Sequence, residues 1–354
     1  MAQAPLRVGL LGYGIAGRVF HAPLVAATPG LRLDAVVTRD PERRAQVQAE
    51  HPDARVLDGA DQLWQGDTVD LVVVATPNRQ HVSMARAAVA AGLPVVVDKP
   101  LAPTATEGRA LVAEAAAAGV PLTVFQNRRW DGDFLTVRRL VEAGELGRVT
   151  RFESRFERWR PAIKPGWRES AAPGEAGGAL FDLGAHLVDQ AVQLFGPVQR
   201  VYAEVDRRRP GAEVDDDAFV ALTHTNGVHS HLWMSALTAQ LGPRFRVLGD
   251  RAAYTTYGLD PQEAALRDGG RPGMPGWGEV DPEAYGRLGA DGDLRAVPTE
   301  AGRYQDFYAQ LAAALRDGAP LPVDPADSVG VVELIELAHQ AAAQGVTLPV
   351  PPLP

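Results

Sequence analysis

The sequence predicts an α/β chain of two domains, a doubly wound parallel sheet followed by an α+β domain whose sheet is mostly antiparallel. Three observations predict it. A short apolar run, Leu6 to Leu11, stops at the turn Gly12-Tyr13-Gly14-Ile15-Ala16-Gly17. Apolar strands and helical patterns then alternate as far as about residue 125. Beyond that point the alternation gives way to short strands separated by turn residues such as Asn226-Gly227. A length of 354 residues accommodates two cores. We therefore expect one domain over 1–125 and a second over 126–354.

Composition narrows the function. Hydrophobic residues at 46% with 22% charged residues describe a globular chain. A net charge of -9 argues against a nucleic-acid partner, because phosphate backbones reward basic surfaces. With no cysteine, disulfides, thiolate catalysis and Cys-ligated zinc are excluded. The first residues lack a basic region, and their apolar run is too short for a signal peptide or a membrane span, so we expect a cytoplasmic protein with no membrane partner. Of 35 basic residues only Lys99 and Lys164 are lysine. Arginine thus serves general solubility in this chain, and each lysine raises a chemical question.

The glycine turn is the mark of a Rossmann-type dinucleotide site. Gly12 permits the turn, Gly14 puts no Cβ between the backbone and a pyrophosphate, and Gly17 lets the next helix pack closely. Ile15 and Ala16 lie between them, and the helix from Arg18 to Ala27 aims its free N–H groups at the phosphates. A second strand, Leu31 to Thr38, ends where such folds choose their cofactor. Here Thr38 and Arg39 offer a hydroxyl and a guanidinium to a 2′-phosphate, which favours NADP over NAD. The alternative is a solvated Arg39 with Asp40 holding the ribose.

Val69 to Ala75 is a valine-rich strand, continuous as in a sheet covered on both faces. It ends at Thr76, Pro77 and Asn78, with His81 following, at the carboxyl edge where ligands bind. Taken singly, Asn78 and His81 read as a helix cap and a surface histidine, but the clustering of Thr76, Pro77, Asn78 and His81 at this edge favours cofactor contact. After a helix, Val82 to Ala91, the strand Leu93 to Val97 ends in Asp98-Lys99-Pro100. A lysine there suits a substrate hydroxyl or developing alkoxide; an ion pair with Asp98 is the structural alternative. A helix from Thr104 to Ala118 and a strand from Leu122 to Gln126 complete the first domain.

Asn127-Arg128-Arg129-Trp130-Asp131 opens the second domain, followed by a helix from Phe134 to Ala143. Phe152 to Arg160 reads as a strand with Phe152, Phe156, Arg158 and Arg160 on one face. Arg158 either reaches a polar ligand or is an ordinary sheet arginine. A helix from about Leu180 to Leu194 sets Asp182 and His186 one turn apart, as an imidazole acid/base with its orienting carboxylate or as a surface ion pair. Val198 to Asp206, Ala218 to Thr225, Val228 to Ser235 and Arg244 to Leu248 read as strands. His229 and His231 share a strand face, read as sheet histidines rather than metal ligands. Tyr257 to Gly302 is expected to form loops, and Tyr304 to Arg316 and Asp327 to Ala343 helices.

These landmarks together resemble the Gfo/Idh/MocA oxidoreductase family over nearly the whole chain: the glycine turn, TPNRQH, VVVDKP and GGALFDLGAHLVDQ. GYGIAGRVFHAP, FQNRRWDGDFLT, the WRE at Trp167 to Glu169 and YGLDPQE are similar to its NADP-dependent scyllo-inositol dehydrogenase members. The resemblance implies that Lys99, Asp182 and His186 are catalytic and that Asn127, Arg129, Arg158 and Arg168 are candidates for substrate contact. It also implies a large open sheet in the second domain whose outer face makes homodimers or homotetramers. Asp98 stands where the family usually has glutamate. The expected activity is NADP-dependent interconversion of a secondary alcohol and a ketone on a cyclic polyol or sugar, foremost an inositol. The alternatives are a same-fold reductase of an imine, enone or aldose, and a non-catalytic NADP-binding sensor.

Overall fold

Six short strands, β1 (Leu6–Leu11), β2 (Leu31–Val37), β3 (Arg55–Leu57), β4 (Leu71–Val74), β5 (Val95–Asp98) and β6 (Leu122–Phe125), build the first sheet. All pair in parallel, in the order β3-β2-β1-β4-β5-β6. Between them run α1 (Ala22–Ala27), α2 (Pro41–Glu50), α3 (Asp61–Trp64), α4 (His81–Ala90) and α5 (Ala105–Ala118). The order reverses between β1 and β4, so the doubly wound sheet has its switch point there. Every residue of β4 is buried, which is why that stretch reads as unbroken valine and leucine. Local chemistry sets the helix ends. Asp40 caps α2 by accepting from Glu42 N and Arg43 N, Thr104 caps α5 by accepting from Glu107 N, and Gly119 closes α5 in the left-handed region.

The second sheet is larger. It comprises β7 (Val149–Glu157), β8 (Val198–Asp206), β9 (Asp217–His224), β10 (His229–Ser235), β11 (Phe245–Gly249), β12 (Ala253–Thr256), β13 (Gly286–Ala290), β14 (Asp293–Val297) and β15 (Leu348–Pro349). The nine strands run β14-β13-β12-β11-β7-β10-β9-β8-β15, antiparallel throughout except for the central β7–β10 pair. One face carries the core, where Phe152, Phe156, Val220, Leu232 and Phe245 meet α6 (Gly132–Glu142) and α7 (Ala185–Phe195). The other face is half-exposed, and on it Arg155 lies 4.0 Å over the Trp233 ring. Three further helices, α8 (Gln262–Arg267), α9 (Gln305–Asp317) and α10 (Pro325–Gln344), complete the chain.

This computed structural model describes residues 4–65, 68–164, 166, 169–172 and 174–351. The chain forms two units, Met1–Trp130 with Gln262–Trp277 and Arg303–Val329, and Asp131–Pro261 with Gly278–Gly302 and Gly330–Pro354. This differs from a division at residue 125. Asn127 to Trp130 stay with the first sheet because their partners do: Arg128 pairs with Glu263 at 2.7 Å, Arg129 with Asp327 at 3.0 Å, and Trp130 O accepts from the Gln262 amide. Nor is 257–302 a run of loops. It holds α8, β13 and β14, whose glycine content hides the strand pattern: Gly286 and Gly289 sit where a Cβ would strike Tyr254 and the backbone of Asp293. No helix among the described residues is long and apolar enough to cross a membrane.

Candidate active site

In the first unit the candidate residues gather at the carboxyl ends of β1, β2, β4 and β5. Gly12 has φ +95°, and a Cβ on it would lie 2.6 Å from Ala75 O. A Cβ on Gly17 would lie 2.1 Å from Gly12 O, whereas one on Gly14 would meet nothing within 4 Å. The first and third glycines are therefore required by the protein's own packing, and the second leaves open space above the turn. A π-helical turn, Ala16–His21, leads into α1. Tyr13 and Arg18 both reach Glu50, the phenol at 2.8 Å and the guanidinium at 2.5 Å, which braces the turn against the end of α2. Burial and the Glu50 carboxylate raise the Tyr13 phenol well above its ordinary pKa, so it stays a donor. Ile15 is exposed and Ala16 half-buried.

Thr38 is buried at the end of β2. Arg39 Nε donates to Asp58 O at 2.9 Å, and Arg44 Nη1 lies 2.6 Å from Asp58 Oδ1 and 3.2 Å from Thr38 O. Two guanidinium groups thus converge on Asp58, and Arg44 also reaches the Thr38 carbonyl. The sequence reading found Arg39 and missed Arg44, which sits on α2 among other arginines with nothing local to distinguish it. Asp40, the candidate ribose ligand, has Oδ1 engaged with two N–H groups of α2 at 3.0 and 3.1 Å.

Asn78 is buried, and Thr76 and Pro77 are half-buried. His81 is 1% exposed, with Nε2 at 2.9 Å from Thr76 O and Nδ1 at 2.8 Å from Pro100 O. The imidazole thus spans the loops that follow β4 and β5. Burial pushes its pKa down, against the pull of Asp98 and the two carbonyls. Far from being a surface histidine, it fastens the Thr76-Pro77 turn to the segment that carries Lys99. Lys99 is half-buried at the end of β5, and its N–H donates to Asp98 Oδ1 at 2.9 Å. Burial pushes the Asp98 carboxyl up, but His21, His81 and Lys99 together hold it below the ordinary carboxylate range.

Among the substrate candidates, Asn127 and Arg129 are buried in the first unit, Arg129 in its ion pair with Asp327. Arg168 and Trp167 lie outside the described residues.

In the second unit the segment from Gly177 is shaped by an aspartate that the sequence reading passed over. Asp215 Oδ2 accepts Leu180 N at 2.7 Å, and Asp215 O accepts Ala179 N at 2.8 Å. Gly178 has φ +101°, and a Cβ there would lie 2.1 Å from Asp215 Oδ1, so glycine is needed for the carboxylate to cap the helix start. Burial raises the Asp215 pKa, against the Leu180 N–H and His339. The only sequence signal was the run Asp215-Asp216-Asp217. A π-helical turn, Leu180–Gly184, carries Asp182, and His186 follows in the first turn of α7. Such π turns recur at functional sites because they re-aim side chains within a helix.

His186 is 6% exposed and its ring lies parallel to Phe156, centroids 6.4 Å apart at 28°. The Arg158 guanidinium lies 4.8 Å from the centroid of that same Phe156 ring. Two predicted site residues therefore share one aromatic neighbour, placed by the alternation of β7. Beneath them Arg244, 2% exposed, holds Ser154 Oγ at 2.7 Å, Gln190 Oε1 at 2.9 Å and Asp133 Oδ2 at 3.4 Å. This buried cation joins α6, β7 and α7, and fixes the helix that bears His186. The sequence reading gave Arg244 only a place in a strand.

Comparison with known proteins agrees with this architecture. Residues 6–126 match the oxidoreductase family with an NAD-binding Rossmann fold, and residues 134–255 match the GFO/IDH/MocA C-terminal domain. The chain is 35% identical over 347 residues to scyllo-inositol 2-dehydrogenase (NADP(+)) IolW of Bacillus subtilis, covering 97% of this chain and 95% of that protein. It is 39% identical over 348 residues to the uncharacterized oxidoreductase YdgJ of Escherichia coli, covering 97% and 98%. The solved structure of the oxidoreductase YvaA from Bacillus subtilis superposes with a TM-score of 0.92 at 34% identity, covering 98% and 99%. With the glycine turn, the lysine-bearing strand end and the Asp182/His186 helix all falling within matched segments, the chain belongs to the Gfo/Idh/MocA family of oxidoreductases.

Proposed function

We propose that this protein is an NADP-dependent dehydrogenase that interconverts a secondary alcohol and a ketone on a cyclic polyol or sugar, foremost an inositol. The observation that carries the cofactor choice is the end of β2. Asp40 is occupied as the cap of α2, while Arg39 and Arg44 meet on Asp58, with Arg44 also on the Thr38 carbonyl. A ribose 2′-phosphate there meets two guanidinium groups and a hydroxyl, with the exposed Asp58 carboxylate already neutralised by Arg44. The space above Gly14, where a Cβ would touch nothing, fits a pyrophosphate at the mouth of the following helix. Thr76, Pro77, Asn78 and Asp98 complete the cofactor-facing edge, with His81 bracing it.

Bound NADP supplies the acceptor for the hydride. Lys99 holds the reacting oxygen and stabilises its developing negative charge, and His186 takes its proton as the carbon is oxidised. Asp182 orients the imidazole, and Arg158 on Phe156 is a candidate for a ring hydroxyl. The polyol class rests on these hydroxyl-directed donors and on the similarity to the scyllo-inositol dehydrogenase. The half-exposed sheet face around Trp233 is the surface for a homodimer or homotetramer, to be tested by light scattering.

The deciding experiment follows cofactor reduction by absorbance with purified protein, NADP or NAD, and a panel of inositol isomers and aldoses. NADP reduction with one inositol is the expected result. Equal efficiency with NAD removes the cofactor assignment, and silence across the panel removes the substrate class.

A further inference from the structure

A buried histidine outside the machinery above faces Asp98, the residue before Lys99. His21, at the end of the π turn, is 0% exposed, and its ring packs on Phe125 with centroids 4.4 Å apart. Its Nδ1 is 2.6 Å from the hydroxyl of Tyr308 on α9, and its Nε2 faces Asp98 Oδ1 at 3.9 Å. The same Asp98 oxygen accepts the Lys99 N–H at 2.9 Å. Burial and the Asp98 charge raise the Tyr308 phenol well above its ordinary pKa, so it keeps its proton. If Tyr308 donates to Nδ1, the ring proton sits on Nε2 and points at the carboxylate. The opposite tautomer would aim a lone pair at Asp98, which the charge disfavours.

We infer that Tyr308, His21 and Asp98 form a chain of positioning residues that fixes the peptide of Lys99. Of its three members only Asp98 reaches the cofactor-facing edge; Tyr308 and His21 act through Asp98 on Lys99, and the effect on turnover rests on the dehydrogenase reading given above. Aspartate suits this task because its short side chain folds back onto the following N–H. The 3.9 Å gap to His21 is too long for a hydrogen bond, so the ring acts on Asp98 through its charge distribution. The chain also gives a role to the histidine of the GRVFHAP segment, which the cofactor site leaves unused.

The test exploits the lysine count. Protein labelled with [15N]lysine shows two backbone lysine amides, Lys99 and Lys164, the latter exposed and an internal reference. Labelling with [15N]histidine reports the tautomer of His21 in the wild type, its ring signals picked out from those of the eight histidines by their loss in His21→Gln. Expected are a proton on Nε2, a Lys99 amide slower to exchange than Lys164, and faster exchange by about tenfold in Tyr308→Phe and in His21→Gln. The phenyl ring of Tyr308→Phe retains the packing on Phe125 and Phe307. In both variants kcat should drop by about tenfold with the KM for NADP within about twofold. A His21 ring whose only proton is on Nδ1, or a Lys99 amide unchanged in both variants, overturns the chain. If the amide and tautomer respond while no inositol is oxidised by the wild type, the substrate assignment fails and the chain stands.

Discussion

Gly14→Ala places one methyl group where the structure has nothing within 4 Å, and Gly14 is not among the glycines with positive φ. The fold should tolerate it, with a change in unfolding free energy of no more than about 1 kcal/mol in either direction. Binding should not tolerate it, because the methyl stands where a pyrophosphate approaches the backbone. Pushing the phosphates off the helix start weakens one or two charge-assisted hydrogen bonds at roughly 1.5–3 kcal/mol each. A net loss of about 3 kcal/mol raises the Kd for NADP on the order of 100-fold. Gly12→Ala and Gly17→Ala are the controls. The first forces alanine to φ +95° with its Cβ 2.6 Å from Ala75 O, and the second drives a Cβ to 2.1 Å from Gly12 O. The left-handed conformation alone costs about 1–2 kcal/mol, and displacing backbone adds to it. A loss of about 3 kcal/mol lowers the melting temperature of a unit this size by about 6–12 °C. Differential scanning calorimetry gives the stabilities, and isothermal titration with NADP gives the affinities. If Gly14→Ala binds NADP as tightly as wild type, or melts as low as Gly17→Ala, the division of labour within the turn is refuted.

Three further outcomes follow from named contacts. Arg39→Ala should reduce kcat/KM with NADP by about 10- to 100-fold, the worth of one charge-assisted phosphate contact, and leave NAD nearly unaffected; steady-state comparison of the two cofactors checks it. Arg244→Met leaves Asp133 buried without its cation, and should cost about 3–5 kcal/mol in urea unfolding, a much larger effect than the same change at the exposed Arg251. His224 is buried, with Nδ1 at 2.8 Å from Gly196 O and Nε2 at 2.8 Å from Ser230 Oγ, and burial lowers its pKa. Below an unfolded pKa of about 6.5 the unfolded chain binds the extra proton first. Stability should therefore be full above that pH and decline as pH falls towards the folded pKa. His224→Gln should flatten that decline, as read from urea midpoints across the range.

The sequence alone determined the elements whose cause is local. Glycines at 12, 14 and 17 and the valine run of β4 act within a few residues of themselves, so the doubly wound sheet was readable from spacing, whereas the capping role of Asp40, read as a possible ribose ligand, came from the structure. The strand ends also put Thr38, Asn78, His81 and Lys99 on one edge without coordinates, since parallel strands all finish on the same side. What the tertiary structure decided depends on residues far apart in the chain. The return of α8 and α9 to the first unit is fixed by partners such as Gln262 for Trp130 and Tyr308 for His21, separated by 132 and 287 positions. Asp215 caps a helix start 35 residues earlier, and Arg244 locks α7 through Gln190, 54 residues away. No periodicity encodes such pairings, because a buried polar side chain is explained by whatever satisfies it, and that is settled only when the chain has packed.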